Sequence, residues 1–293
     1  MKRYLMPALA VAVATGLTGG LAHAADPIKI AHIYGKTGPY EAYAKQSHDG
    51  FMLGLEYATG GKMEINGRKI EVIEKDTQLK PDLGKALLAE AYGDDEVDIA
   101  VGPVSSGVAL AMLPVAKEYQ KVLIVEPAVA DSITGEKWNR YIFRTSRNSS
   151  QDAISNATAL GKPGTIIATL AQDYAFGRDG VGAFKAALKG TGAELAFEEY
   201  APKDTKDFTA SAQRIIDAIK DKKGRKIIWV IWAGKGNPLG KLQAMNLAHH
   251  GIEIATGGNI LAAMAAYKSL PGMEGATYYY YEIPKNPIND WLV

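Results

Sequence analysis

The 293-residue chain contains no cysteine. This excludes disulfides, zinc–thiolate sites and thiol catalysis, and leaves stability to the packed core. Charge of either sign is also without excess: 33 Lys and Arg against 32 Asp and Glu give a formal net charge of +1. So balanced a chain has no electrostatic footprint for nucleic acid or an anionic membrane surface. Histidine is scarce, with five residues. His23 falls in the leader read below, His32 in a strand, His48 on a helix without an acidic partner at metal-ligand spacing, and His249-His250 at a helix end. No metal, no cofactor and no catalytic residue is expected from such a set.

What is present starts with an export signal. Lys2 and Arg3 precede a largely apolar run from Tyr4 to Leu21, and Ala22-His23-Ala24 supplies a small-x-small cleavage pattern. Gly16, Gly19 and Gly20 interrupt the run, which falls short of the roughly 20 apolar residues that span a bilayer. Residues 1–24 therefore read as a signal peptide cleaved after Ala24, and the mature protein is expected in the periplasm. No later segment is long and apolar enough to span.

Past Pro27 short apolar strands alternate with amphipathic helices. Strands are expected at 28–33, 69–75, 97–101 and 122–126, and helices at 40–57, 81–93 and 106–119, with Asn66-Gly67 as a hairpin turn. A polar, irregular passage from Trp138 to Gln151 separates this series from a second one. There, strands are expected at 165–170, 194–198, 226–231 and 253–255, and helices at 176–188, 208–219, 238–249 and 261–268. The pattern defines an α/β protein of two doubly wound, parallel-sheet, Rossmann-like lobes. The expected division is 25–144 for the N-terminal lobe and 145–278 for the C-terminal lobe. Residues 279–293 make a hinge crossing and begin a return; Tyr278 to Tyr281 alternates as a strand would.

In open α/β sheets ligands sit beyond the carboxyl ends of the strands. The most informative such corner is Val101-Gly-Pro-Val-Ser105-Ser106, where a strand stops, two hydroxyls follow and a helix starts at once. Serine donors and free backbone N–H groups at a helix start suit an anionic group; the same serines would also serve as plain helix caps. The other loops, Gly35 to Tyr43, Glu126 to Ala130, Gln172 to Gly177, Trp232 to Gly236 and Gly257-Gly258-Asn259, offer hydroxyls, amides and rings rather than paired carboxylates.

Enzyme classes fail on spacing. Gly234-Lys-Gly236-Asn-Pro-Leu-Gly240-Lys241 places five residues between Gly234 and Gly240 where a phosphate loop needs four, and Leu242 stands where Ser or Thr would bind magnesium. Gly102 to Gly107 does not fit Gly-x-Ser-x-Gly.

In the order and spacing of Thr37-Gly38-Pro39, Val101 to Ser106, Glu126 to Ala130, Asp173-Tyr-Ala-Phe-Gly-Arg-Asp179 and Tyr278 to Pro284, the chain resembles a known family. These are the periplasmic solute-binding proteins of branched-chain and hydrophobic amino-acid ABC transporters, with the type I periplasmic-binding-protein fold. The resemblance implies two lobes that close around a ligand and dock on a membrane permease, as a monomer. It implies that Ser106, with Ser105 beside it, and the amides around Ala128, Val129 and Ala130 grip a ligand carboxylate, and that Tyr43 covers its side chain. Tyr174, Phe176, Trp232 and Asn259 would complete the contacts from the second lobe. Ala130 stands where relatives often have a hydroxyl residue, and Gly257-Gly258-Asn259 carries no carboxylate for a ligand ammonium. A branched-chain or other hydrophobic amino acid is thus the first expected ligand, and an aromatic or other hydrophobic carboxylic acid the second. A ligand-sensing receptor domain of the same fold is a further reading. The resemblance also implies that relatives continue beyond Asn286 to Val293, a capped helix start, so that this chain is expected to be C-terminally truncated.

Overall fold

A computed structural model describes residues 26–260, 263–264, 270 and 272–293. The expected signal peptide and most of the helix expected at 261–268 lie outside the described residues.

The first sheet comprises β1 (Ile28–Tyr34), β2 (Glu64–Ile65), β3 (Arg68–Asp76), β4 (Ile99–Val101), β5 (Val122–Val125) and β6 (Ile142–Arg144), in the spatial order β2-β3-β1-β4-β5-β6. All pairings are parallel except β2 with β3. Those two close through the Asn66-Gly67 turn, both residues at positive φ as a two-residue hairpin demands. Residue alternation in β1 assigns the two faces. Ala31 and Ile33 join the buried cluster under α2 (Pro81–Gly93) and α3 (Ser106–Tyr119), where Leu88, Val108 and Met112 are fully buried. His32 and Tyr34 point the other way, stacked on His48 of α1 (Glu41–Thr59).

The second sheet, ordered β11-β10-β9-β7-β8, is parallel throughout. Its strands are β7 (Thr165–Gln172), β8 (Glu194–Ala201), β9 (Arg225–Ile231), β10 (Ile252–Asn259) and β11 (Glu274–Thr277). Helices cover both faces, so the central strands are apolar on both sides, as parallel sheets require. Ile227, Trp229 and Ile231 pack with α4 (Ser149–Leu160) and α5 (Ala175–Ala187), Phe184 stacking on Trp229 at 3.8 Å. Ile228, Val230 and Trp232 pack with α6 (Thr209–Ile219) and α7 (Leu239–Ala244).

Three local expectations are corrected. The passage from Trp138 to Gln151 is not irregular: it holds β6 and opens α4, whose Asn148 side chain accepts from Gln151 N while Gln151 Oε1 accepts from Asn148 N, each at 2.9 Å. That capping box is encoded in Asn148-x-x-Gln151, but the buried stripe behind it is Ser149, Ala153, Asn156, Ala157 and Leu160, so the hydrophobic period is faint. The helix expected at 238–249 ends at Ala244, because Asn246 adopts a left-handed backbone before a short 3₁₀ turn at Leu247–His250. Tyr278 to Tyr281 is not a strand. β11 ends at Thr277, and the tyrosines serve side-chain contacts instead, Tyr279 donating to Asn289 Oδ1 at 2.6 Å.

His32 is fully buried, with Nδ1 3.1 Å from His48 Nδ1 and Nε2 without a partner among the described residues. Burial first, and His48 second, lower its pKa to about 4. The unfolded chain takes up this proton near pH 6.5, so between those values the unfolded state binds more protons. Stability from this site is therefore present above pH 6.5 and is lost as pH falls toward 4. The urea midpoint should drop between pH 7 and pH 5. His32→Phe, which keeps a ring against Tyr34 and Phe51, should flatten that slope; equal slopes would remove His32 as its cause.

Candidate ligand-binding site

Between the lobes lies a cavity of about 570 Å³. Its walls come mainly from the C-terminal ends of the strands and the loops that leave them, together with one face of α1. The loop after β1 and the start of α1 supply Tyr40 and Tyr43; the β4–α3 corner supplies Val104 and Ser106; the loop after β5 supplies Glu126, Pro127 and Val129. Thr145, Arg147, Ser149 and Asp152 follow from the segment that runs from β6 into α4. The second lobe adds Tyr174, Phe176, Trp229, Trp232 and Gly257, and Tyr278 and Tyr279 close one side.

The β4–α3 corner is set by Gly102. Its φ is +124°, and a Cβ there would fall 1.9 Å from the Ile33 carbonyl oxygen, so only glycine lets β4 leave the sheet so tightly against β1. Ser105 then takes the N-cap position of α3 in extended conformation, but its side chain makes no capping bond and does not line the cavity. Ser106 does line it. The hydroxyl accepts from Ala130 N at 3.2 Å, which leaves its own proton to donate.

The expected gripping amides are otherwise engaged. Ala128 N donates to Pro103 O at 3.2 Å and Ala130 N to Ser106, and neither residue lines the cavity. The long β5–β6 connection, residues 126–141, packs against α3, which turns these amides onto protein acceptors. Arg144 fixes it further, donating to Ala128 O and, at 2.7 Å, to Ala130 O. Ser149 N and Oγ both donate to Val129 O, at 2.8 and 3.1 Å. Of this segment Val129 presents its side to the cavity with Glu126 and Pro127.

The lobes touch at the rim. Tyr40 Oη and Tyr174 Oη lie 2.8 Å apart, and Tyr40 also donates to Gln172 Oε1 at 3.2 Å. Gln172 in turn accepts from Ala233 N and donates to Ala233 O, both at 3.1 Å, so it ties β7 to the end of β9 while receiving the first lobe. Burial and the neighbouring Tyr40 push the Tyr174 phenol well above its usual pKa, keeping it neutral. Lys235 N donates to Pro39 O at 2.9 Å, and Ser132 N to Asp179 Oδ2 at 2.9 Å.

Inside, rings dominate. Tyr43, Phe51, Tyr174, Phe176, Trp229, Trp232 and Tyr278 all contribute, and the indole N–H groups of Trp229 and Trp232 have no partner among the described residues. One charged corner interrupts this surface. Arg147 Nε donates to both oxygens of Asp152, at 2.7 and 2.9 Å, and its guanidinium lies 4.0 Å from the Tyr278 ring centre. Burial raises the Asp152 pKa against the pull of Arg147.

Tyr43, Ser106, Val129, Tyr174, Phe176 and Trp232 are thus brought together, whereas Ser105, Ala128 and Ala130 stand behind the wall. Asn259 ends β10, and its side chain lies outside the described residues. The expectations omit Glu126, Arg147, Asp152 and Trp229. Glu126 sits in a loop that the sequence does mark, whereas Trp229, inside a continuous apolar strand, carries no local signal.

A two-lobed α/β fold with a ring-lined cavity at the strand ends is that of the type I periplasmic binding proteins. The chain belongs to the periplasmic binding protein family, whose model matches residues 27–293. It is similar to an ABC-type branched-chain amino acid transporter protein from Rhodopseudomonas palustris, 73% identical, with 91% of this chain and 72% of that one covered and a TM-score of 0.74. A solute-binding protein of an ABC transporter from R. palustris BisB5, in complex with 3,4-dihydroxybenzoic acid, is 31% identical over 80% of this chain and 62% of that one, with a TM-score of 0.68. The Leu/Ile/Val-binding protein homolog 6 of Brucella abortus is 29% identical over 74% of this chain and 54% of its own length. The chain spans about half the length of the curated relatives it matches.

Gly234 brings the second lobe's backbone tightly against the first. At φ +84°, a Cβ there would lie 2.4 Å from Tyr40 Cδ1 and 2.7 Å from Pro39 O. Gly234→Ala should hold the lobes apart, with a larger radius of gyration in X-ray scattering and at least tenfold weaker ligand binding. Unchanged scattering and affinity would show that this approach is dispensable.

Proposed function

We propose that the chain is the ligand-capturing part of an extracytoplasmic solute-binding protein of an ABC importer. It takes a branched-chain or other hydrophobic amino acid between its lobes and delivers it to a membrane permease, acting in the periplasm as a monomer and without catalysis. The observation that carries this reading is the cavity between the lobes: apolar rings on both of them, one hydroxyl corner, and hydrogen bonds that join them at the rim.

Roles follow from position. The N-terminal lobe runs to Arg144 and the C-terminal lobe from Thr145 to Tyr278, with hinge crossings at the segment after Arg144 and at 279–293. Ser106, its own proton unengaged, donates to the ligand carboxylate from the start of α3, where the helix dipole favours negative charge. Val129 and Tyr43 border the apolar part, and Tyr174, Phe176 and Trp232 meet it from the second lobe. A ligand stabilises the closed state only through contacts with both lobes, and these residues divide between them.

The density of rings, and the 31% identical relative crystallised with 3,4-dihydroxybenzoic acid, favour a second reading: an aromatic carboxylic acid in the same cleft. Calorimetry of the purified chain with leucine, phenylalanine and 4-hydroxybenzoate separates the two. Tight binding of 4-hydroxybenzoate alone would replace the first reading by the second, and binding of none of the three would defeat both.

Ser106→Ala tests the carboxylate role shared by both readings. Loss of a hydrogen bond to a charged oxygen should weaken binding by about 1.5–3 kcal/mol, measured by calorimetry. Unchanged affinity would leave Ser106 as only the support of Ala130.

A further inference from the structure

Glu126 has no established part in this cavity. It follows β5, lines the wall on the first lobe beside Pro127, and is neither a core-packing residue nor a member of an ion pair within 4.0 Å among the described residues. Its carboxylate accepts from Thr145 Oγ1 at 3.1 Å, and the Ser146 hydroxyl also favours its charged form. The nearest cations are committed elsewhere. Arg147 holds both oxygens of Asp152 and stacks on Tyr278. Arg144 donates to the carbonyls of Ala128, Ala130 and Arg147 and to Thr134 Oγ1.

An ionised carboxylate at a half-buried, ring-lined wall is costly unless a cation faces it. Burial raises the Glu126 pKa even though Thr145, Ser146 and both arginines favour the charged form. Among the described residues no cation lies within ion-pair distance of Glu126, and a cation carried by the ligand would supply that pair.

We propose that Glu126 is a specificity-determining residue that recognises a cationic amine on the ligand and so selects amine-bearing hydrophobic acids over their amine-free counterparts. The proposal rests on the solute-binding reading above and deepens it. It relocates the acid that Gly257-Gly258-Asn259 does not supply to the opposite lobe, on the strand end next to the Ser106 corner. Both ends of the ligand's polar head are then held by the first lobe, and the second lobe meets its apolar part. An amine-free acid bound in the same pose would set its carboxylate against an unpaired Glu126 and would require that residue to take up a proton.

The test uses matched pairs: L-leucine with 4-methylpentanoate, and L-phenylalanine with 3-phenylpropanoate, titrated calorimetrically into the unaltered chain, Glu126→Gln and Glu126→Asp at pH 7. The unaltered chain should bind at least one amino acid 100-fold or more tighter than its amine-free partner. Glu126→Gln should lose at least 30-fold for the amino acid and change less than threefold for the partner. Glu126→Asp, which retracts the charge by one methylene, should show the same selective loss to a smaller degree, and it carries the test if Glu126→Gln does not fold. Equal affinity of the unaltered chain for both members of each pair overturns the proposal while leaving the solute-binding reading intact, as does an amino-acid affinity that neither substitution changes. An unaltered chain that binds none of the four compounds overturns the reading for hydrophobic amino acids and this proposal with it.

Discussion

The hydrogen bonds that Tyr40 makes across the cleft, to Tyr174 and Gln172, hold the remaining geometry of the site in place. They form where two separate sheets end, each with its own core, so they join the lobes at little more than the cleft itself. Each such bond contributes on the order of 1 kcal/mol net, far less than the packing within either lobe. The cavity is therefore bounded by walls that are stiff individually and weakly attached to each other. A wall of that kind can form and open without repacking, and glycine at 234 is what permits the backbones to come this close.

Polar groups at the cavity wall and directly behind it fall into two kinds. Arg144, Ser149 and Arg147 are spent on structure: the first two fix the carbonyls of the β5–β6 connection, and the third clamps Asp152 and the Tyr278 ring. This fixation converts a loop into a surface with set positions, which is the condition for selective binding. Ser106 keeps a hydroxyl proton and Glu126 a carboxylate without an ion pair, capacity that the wall does not fully use. Buried polar capacity left unused in a native fold calls for an explanation, and a ligand that meets it supplies one.

Much of this architecture is legible in the sequence because its physics is local. Apolar strands of β-branched residues, Asn66-Gly67, and Gly102-Pro103 before two serines each dictate their own conformation. α4 is less legible: alanine and serine on its packing face give little hydrophobic contrast, and its cap alone marks it. At the site, the loops that carry it are readable and the aim of each group is not. The same Glu126 to Ala130 loop offers amides that turn inward to Pro103 and Ser106 and a carboxylate that faces the cavity. That choice depends on Arg144 and Ser149, which lie well along the chain and carry no motif. Trp229 illustrates the same limit, since a tryptophan inside a buried strand reads as core and here is both core and wall.

Lobe-to-lobe contacts also decide how ligand energy is used. The apparent affinity of a cleft equals its intrinsic affinity scaled by the fraction of molecules already in the binding-competent arrangement. Every bond made without ligand, whether Tyr40 to Gln172, Lys235 to Pro39 or Ser132 to Asp179, raises that fraction. It raises it for every ligand alike, because each of these bonds is made between protein groups. Selectivity must then come from groups that face the cavity and whose cost depends on what enters. Among the wall residues, rings suit many apolar shapes and the Ser106 hydroxyl can donate to any carboxylate. A carboxylate without an ion-pair partner penalises a ligand that lacks a matching cation, so under the proposal made above discrimination is concentrated at Glu126.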